Sequence, residues 1–138
     1  MSFLIDRSKY SQSVPTAPVL PEIQINFLFH RADALEYEVC LARSLLETTT
    51  TALSFENAQE RLWALQIEVG RALYGANKMA AIRALSLASE QRDLFAVDAY
   101  INNSKKAELM IKVLRDEIST GPKTATRALI LAQMHLPF

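Results

Sequence analysis

Side chains suited to metal binding are few in this 138-residue chain, and they lie far apart. The two histidines, His30 and His135, stand towards opposite ends of the sequence, and Cys40 is the single cysteine. His30 and Asp33 would share one face of a helix. A di-metal site between helices, however, needs two Glu-x-x-His elements, and the sequence contains none. We therefore expect neither a metal ion nor a cofactor.

Signatures of nucleophilic catalysis and of phosphate binding are also missing. The sequence contains neither Gly-x-Ser-x-Gly nor a cysteine-protease motif. Cys40 follows Val39 in an apolar helical pattern, where burial would raise the pKa of the thiol and suppress its reactivity. Residues 73–78 (Leu-Tyr-Gly-Ala-Asn-Lys) lack the second glycine, and the hydroxyl after lysine, of a phosphate-binding loop. The sequence therefore favours a protein that is not an enzyme.

The charges of the chain balance, with 15 basic and 15 acidic residues. A nucleic-acid-binding protein usually carries a basic excess, because its cations must displace the counterions of the phosphates. Basic residues nevertheless cluster near the carboxyl end, at Lys105, Lys106, Lys112, Arg115, Lys123 and Arg127. Glu108, Asp116 and Glu117 interrupt this cluster, which favours a solvated helix face. A nucleic-acid-associated protein that uses residues 105–127 is the alternative hypothesis.

Charge is also distributed unevenly along the chain. Acidic residues dominate from Glu22 to Glu68, and basic residues dominate from Lys105 to Arg127. The two regions could attract each other within one bundle or between copies of the chain. Antiparallel helices place such faces side by side, so the sequence favours attraction within the bundle.

Apolar residues recur every three or four positions, which is typical of packed helices. The first predicted helix covers 25–47, and Phe27, Leu41 and Leu45 widen its apolar face. The second begins at an N-cap residue, Ser54, and ends at Gly75, with Gly70 marking a close helix crossing. Core positions are expected at Leu35, Leu62 and Leu65.

The remaining pattern predicts further helices at 78–101, 105–119 and 122–134. The polar residues 89–93 can interrupt the first of these, with Asp93 as a new cap, and Asn102-Asn103-Ser104 indicates a turn. The presence of only three glycines in the chain argues against a many-turned β architecture. The predicted fold is all-α: one bundle of about four to five helices over 25–138.

Residues 1–24 are predicted to form an extended arm. Proline fixes its own φ and restricts the preceding residue, so the spacing of the prolines in this segment excludes a helix. An apolar segment of this kind cannot build its own core, but it is a low-entropy ligand for an apolar surface. That surface belongs either to its own bundle or, as we favour, to another subunit. The candidate partner-binding residues are Val14, Pro15, Pro18, Val19, Leu20, Pro21, Phe27 and Phe29.

The overall expectation is a non-enzymatic structural or interaction protein. It would be a small helical subunit, adaptor or chaperone of a larger assembly, with protein partners in a homo- or hetero-oligomer. No segment approaches the roughly 18 apolar residues of a membrane span. A lone cysteine and the lack of a signal peptide favour the cytoplasm or another reducing compartment.

Overall fold

The computed structural model describes residues 19–121 and 125–134, and it is all-α over these ranges. Four α-helices are present there: α1 (Glu22–Glu47), α2 (Ala52–Leu85), α3 (Leu94–Ser119) and α4 (Ala125–Ala132). A single 3-10 turn, Ser89–Gln91, lies between α2 and α3. None of the described helices is both long and apolar enough to cross a membrane.

The long helix α2 is the common packing partner of the other three helices. One core cluster joins it to α1 through Val39, Ala42, Leu62 and Val69. A second cluster joins it to α3 and to the carboxyl end through Trp63, Ile67, Ile111, Leu114, Ile118, Ile130 and Met134. Leu62 is buried as expected, whereas Leu35 and Leu65 are half-buried at the edge of the first cluster.

The start of α1 differs from the predicted arm boundary by three residues. Glu22, Ile23 and Gln24 are helical, so the arm ends at Pro21 and not at residue 24. The Pro21 carbonyl accepts hydrogen bonds from the N–H groups of Gln24 and Ile25, at 3.0 and 3.2 Å. Proline lacks an N–H donor but keeps its carbonyl acceptor, so it can precede a helix without removing a backbone hydrogen bond.

The start of α2 also differs from the prediction. The N-cap residue is Thr51 and not Ser54, because the Thr51 hydroxyl accepts a hydrogen bond from the Ser54 N–H at 3.0 Å. Both residue types are good caps. Thr51, three positions before Ser54, supplies the hydroxyl acceptor, and the Ser54 N–H is the donor that this hydroxyl satisfies.

The predicted helix end at Gly75 is wrong, since α2 continues through it to Leu85. Asn77, expected to cap the next helix, is buried, and its side-chain amide donates to the Leu73 carbonyl at 2.8 Å within the helix. Met79, Ala80 and other residues beyond Gly75 are buried against the neighbouring helices. Packing therefore outweighs the roughly 1 kcal/mol preference of glycine for leaving a helix.

The single helix predicted over 78–101 is wrong, because the interruption that the sequence left open at 89–93 is present, and Asp93 caps α3. Its carboxylate oxygen accepts hydrogen bonds from the N–H groups of Phe95 and Ala96, each at 3.1 Å. The predicted turn at Asn102-Asn103-Ser104 is wrong, because α3 runs straight through it. The Ser104 hydroxyl donates to the Ile101 carbonyl at 2.7 Å, so this polar side chain is satisfied inside the helix.

Gly70 marks the close helix crossing that the sequence predicts. A Cβ atom at this position would lie 2.8 Å from Cγ1 of Ile111 and 3.0 Å from Cε of Met110. Ile111 is 2% exposed and belongs to a core cluster, so any shift of its side chain would also displace its neighbours. The glycine thus sets how closely α2 and α3 approach.

Replacing Gly70 with alanine should destabilise the protein by about 1–3 kcal/mol, although alanine is the better helix former. Urea unfolding followed by circular dichroism measures this change. The double variant Gly70→Ala/Ile111→Ala should lose less stability than the sum of the two single variants, because the second change makes room for the methyl group. Strict additivity, or a stabilised Gly70→Ala protein, would contradict a tight crossing.

Candidate functional site

The outward face of α1 carries large apolar side chains that no other described element covers. Solvent reaches more than half of five of them: Ile23 (78%), Phe27 (68%), Tyr37 (66%), Leu41 (54%) and Leu45 (53%). His30 and Ala34 are exposed between them. We call these seven residues the outer stripe. Their spacing of three and four residues places them on one face along the whole of α1.

The buried side of α1 is a separate set with the same periodicity. This inner seam consists of Ile25, Leu28, Ala32, Leu35, Val39, Ala42 and Leu46, which are buried or half-buried. At 3.6 residues per turn, the outer stripe lies about 145° around the helix axis from the inner seam. The residues expected to widen the core face, Phe27, Leu41 and Leu45, therefore lie on nearly the opposite side. α1 is apolar on two faces, and its own fold uses only one.

The arm residues that the structure describes differ in their exposure to solvent. Leu20 is half-buried and packs against Ile25, Met79 and Ala80 of its own bundle. Val19 is half exposed, at 50%. Val14, Pro15 and Pro18 lie outside the described residues.

The two predicted phenylalanine contacts also differ from each other. Phe27 belongs to the outer stripe, whereas Phe29 is half-buried with its ring centroid 6.3 Å from that of Tyr100 in α3. Phe29 therefore contributes to the core of its own chain, and Phe27 is the one available to a partner.

Cys40 is exposed, which corrects the prediction that it is buried. The inner seam passes through Val39 and Ala42, so the residue between them points away from the core. Cys40 lies at the edge of a groove of about 410 Å³ whose floor includes Val69, Leu73 and Met110.

Four of the predicted nucleic-acid contacts are exposed on α3: Lys105, Lys106, Lys112 and Arg115. Glu108, Asp116 and Glu117 are exposed on the same helix, so their charges alternate with the basic ones. The Arg115 guanidinium also donates to the Met134 carbonyl at 3.5 Å. Lys123 lies outside the described residues.

Arg127, the sixth predicted contact, is buried and cannot belong to an exposed basic strip. Its guanidinium lies 3.4 Å from a carboxylate oxygen of Glu60 and 3.8 Å from one of Glu56. The same group stacks over Trp63, at 5.0 Å from the ring centroid. Gly121 lies against it and leaves no space for a Cβ atom. The attraction expected between acidic and basic regions is thus made within the chain at this point.

Tyr74 has an ionisable phenol on the buried side of α2. Burial raises the pKa of its phenol above the usual value, and the nearby Glu108 carboxylate adds to the rise. Lys78 Nζ lies 5.8 Å from the ring centroid. We regard Tyr74 as a core residue of α2, because 94% of its surface is covered by protein and it lies apart from the outer stripe.

Within residues 19–121 and 125–134, no group of three or more His, Cys, Asp or Glu side chains lies close enough together to hold a metal ion. Comparison with protein-family models finds no match, and comparisons with curated proteins and with solved structures find none either. The signal of the outer stripe was present in the sequence as a second heptad repeat beside the first.

Replacing Arg127 with leucine should destabilise the protein by about 3–5 kcal/mol, because the largely buried Glu60 carboxylate then loses its guanidinium. Chemical unfolding followed by Trp63 fluorescence measures the change and reports on the contact itself. The double variant Arg127→Leu/Glu60→Leu should recover much of the loss, since two packed apolar side chains replace the ion pair. A single variant as stable as the wild type would contradict a structural role for Arg127.

Proposed function

We propose that this protein is a non-enzymatic interaction protein, a small helical subunit, adaptor or chaperone of a larger assembly. It docks through the outer stripe of α1. The observation that supports this proposal is the exposure of five large apolar side chains on one continuous helix face. Single exposed apolar residues are normal on protein surfaces, whereas a contiguous row of this length is typical of an interaction site.

The exposed apolar area of the outer stripe is large enough to contribute substantially to partner binding. Side chains of this size that are more than half exposed present on the order of 600 Å² of apolar surface per chain. At roughly 25 cal/mol per Å², covering that surface would contribute about 15 kcal/mol before the costs of association are subtracted. Such a gain is sufficient to hold a partner.

The amino-terminal arm extends this surface. Val19 is half exposed immediately before α1, close in sequence to Ile23 and Phe27. In our proposal the apolar arm residues Val14, Pro15 and Pro18 add contact to the partner at small entropic cost. Leu20 packs against its own bundle and so holds the end of the arm beside α1, whereas Pro21 is exposed.

The nucleic-acid alternative retains four exposed cations on α3, but their acidic neighbours oppose phosphate binding. The salt dependence of binding distinguishes the two hypotheses. Binding to DNA or RNA should weaken steeply as salt rises, whereas apolar docking should hardly change. We also propose a reducing compartment, which keeps the exposed Cys40 thiol free of disulfides.

The double variant Phe27→Ser/Leu41→Ser should lose its partner while keeping its fold, because both side chains lie outside the core. Capture from the source extract, followed by quantitative mass spectrometry, should show proteins that bind the wild type and not this variant. The matched control is Leu109→Ser/Val113→Ser, which removes two exposed apolar side chains from α3. Equal loss in both variants, or loss in neither, would contradict docking through α1.

The same capture with residues 1–18 deleted tests the contribution of the arm. The deletion keeps Leu20 and Pro21, so circular dichroism and cooperative unfolding should match the wild type. Partner binding should weaken, since apolar contact is lost. An unfolded bundle with unchanged capture would show that the arm serves only its own domain.

A further inference from the structure

We propose that the occupant of the outer stripe is a second copy of this chain, packed with its α1 antiparallel to the first around a two-fold axis between Ala34 and Tyr37. This inference rests on the proposed function, since it names the partner of the same surface. It is drawn from the spacing of the stripe, the charges on its flanks and its area.

The spacing of the outer stripe is that of a two-helix seam. In heptad notation, Phe27, Ala34 and Leu41 occupy a positions, and Ile23, His30 and Tyr37 occupy d positions. In an antiparallel pair, each a residue meets a d residue of the other helix. Ala34 then faces Tyr37 of the second copy near the axis, and the two-fold repeats this pairing of a small residue with a large one.

The charges that flank the stripe select the antiparallel direction. Arg31 and Glu38 occupy successive e positions, and both are exposed. Antiparallel helices place e beside e, so Arg31 of each copy faces Glu38 of the other, and two opposite-charge pairs form.

A parallel pair would have the opposite electrostatics. It places each g position beside the following e position, so Asp33 would face Glu38 of the other chain, twice over. These are two like-charge pairs, which oppose association. The direction of the dimer therefore follows from three charges on one helix.

The area of the stripe fits a dimer of modest affinity. Two copies cover a total on the order of 1,200 Å² of apolar surface, at the lower end of specific interfaces. The e and g side chains that border the seam add to this area. The row contains polar residues at two d positions, His30 and Ser44, and Leu45 borders the seam at an e position. An interface of this size and composition is sufficient for a reversible dimer.

Sedimentation equilibrium of the full-length protein tests the inference through charge reversal. The wild type should dimerise, and Arg31→Glu or Glu38→Arg alone should each weaken the dimer by about tenfold, since each creates two like-charge contacts. An equimolar mixture of the two variants should dimerise like the wild type, because every new charge then faces its opposite. The control Glu36→Arg alters an exposed charge of α1 that faces away from the seam and should change nothing.

Two results would overturn the second copy as the occupant. One is a wild type that stays monomeric up to about 100 µM; the other is a dimer that the two single charge reversals leave unchanged. Either result leaves the proposed function testable, because capture of another protein that depends on Phe27 and Leu41 does not require self-association. Circular dichroism of each variant shows that it has folded.

Discussion

The structure depends on one constraint: α2 is shared as a packing surface by every other helix. Its buried residues run from Ala58 to Ala81, and they face α1, α3 and α4 in turn. The close approach at Gly70, where Ile111 fills the space of a missing Cβ atom, draws α3 against it. Because α2 occupies the centre, α1 lies at the edge and packs mainly against α2. One face of α1 is therefore buried and the other is left to solvent.

The edge position of α1 leaves one of its two apolar faces exposed to solvent. A helix that is apolar on two faces is stable in water only when both are covered or when other interactions offset the exposure. Here the inner seam and the outer stripe are separate heptad rows, and α2 covers only the inner one. The last described helix, α4, packs through a polar contact as well: the Arg127 guanidinium lies between the Trp63 ring and the carboxylates of Glu56 and Glu60. The basic residue that looked available for phosphates is instead part of the core.

Much of the architecture could be predicted from local patterns. The carboxyl end of α1, the break before α3, its cap at Asp93 and the crossing at Gly70 all follow from residue types and spacing. The errors came from residues whose local preference is overridden by packing. Gly75 and Ser104 favour ends and turns on their own, but burial of their neighbours and hydrogen bonds within the turn keep them helical.

The candidate site could be predicted only in part, for a related reason. Periodicity shows that Phe27, Leu41 and Leu45 are apolar and helical, but it does not show which of two apolar rows faces α2. That choice depends on which helices are neighbours, which is a property of the whole chain. In the same way, no local signal links Arg127 to Glu60, because the ion pair joins segments 67 positions apart in the sequence. The flanking charges Arg31 and Glu38 indicate a pairing direction only once the outer stripe is known to be exposed.

The native Cys40 allows the most direct test of the central claim, that the outer stripe of α1 packs antiparallel against a second copy. A spin label on Cys40 of one batch is mixed with an unlabelled batch enriched in ¹⁵N, and intermolecular broadening of amide signals is recorded. Cys40 and Asp33 occupy g positions that face each other across an antiparallel seam. Antiparallel packing predicts broadening centred on Asp33 of the unlabelled chain. Broadening centred on Leu45 or on another helix, or none at concentrations where a dimer should form, would contradict it.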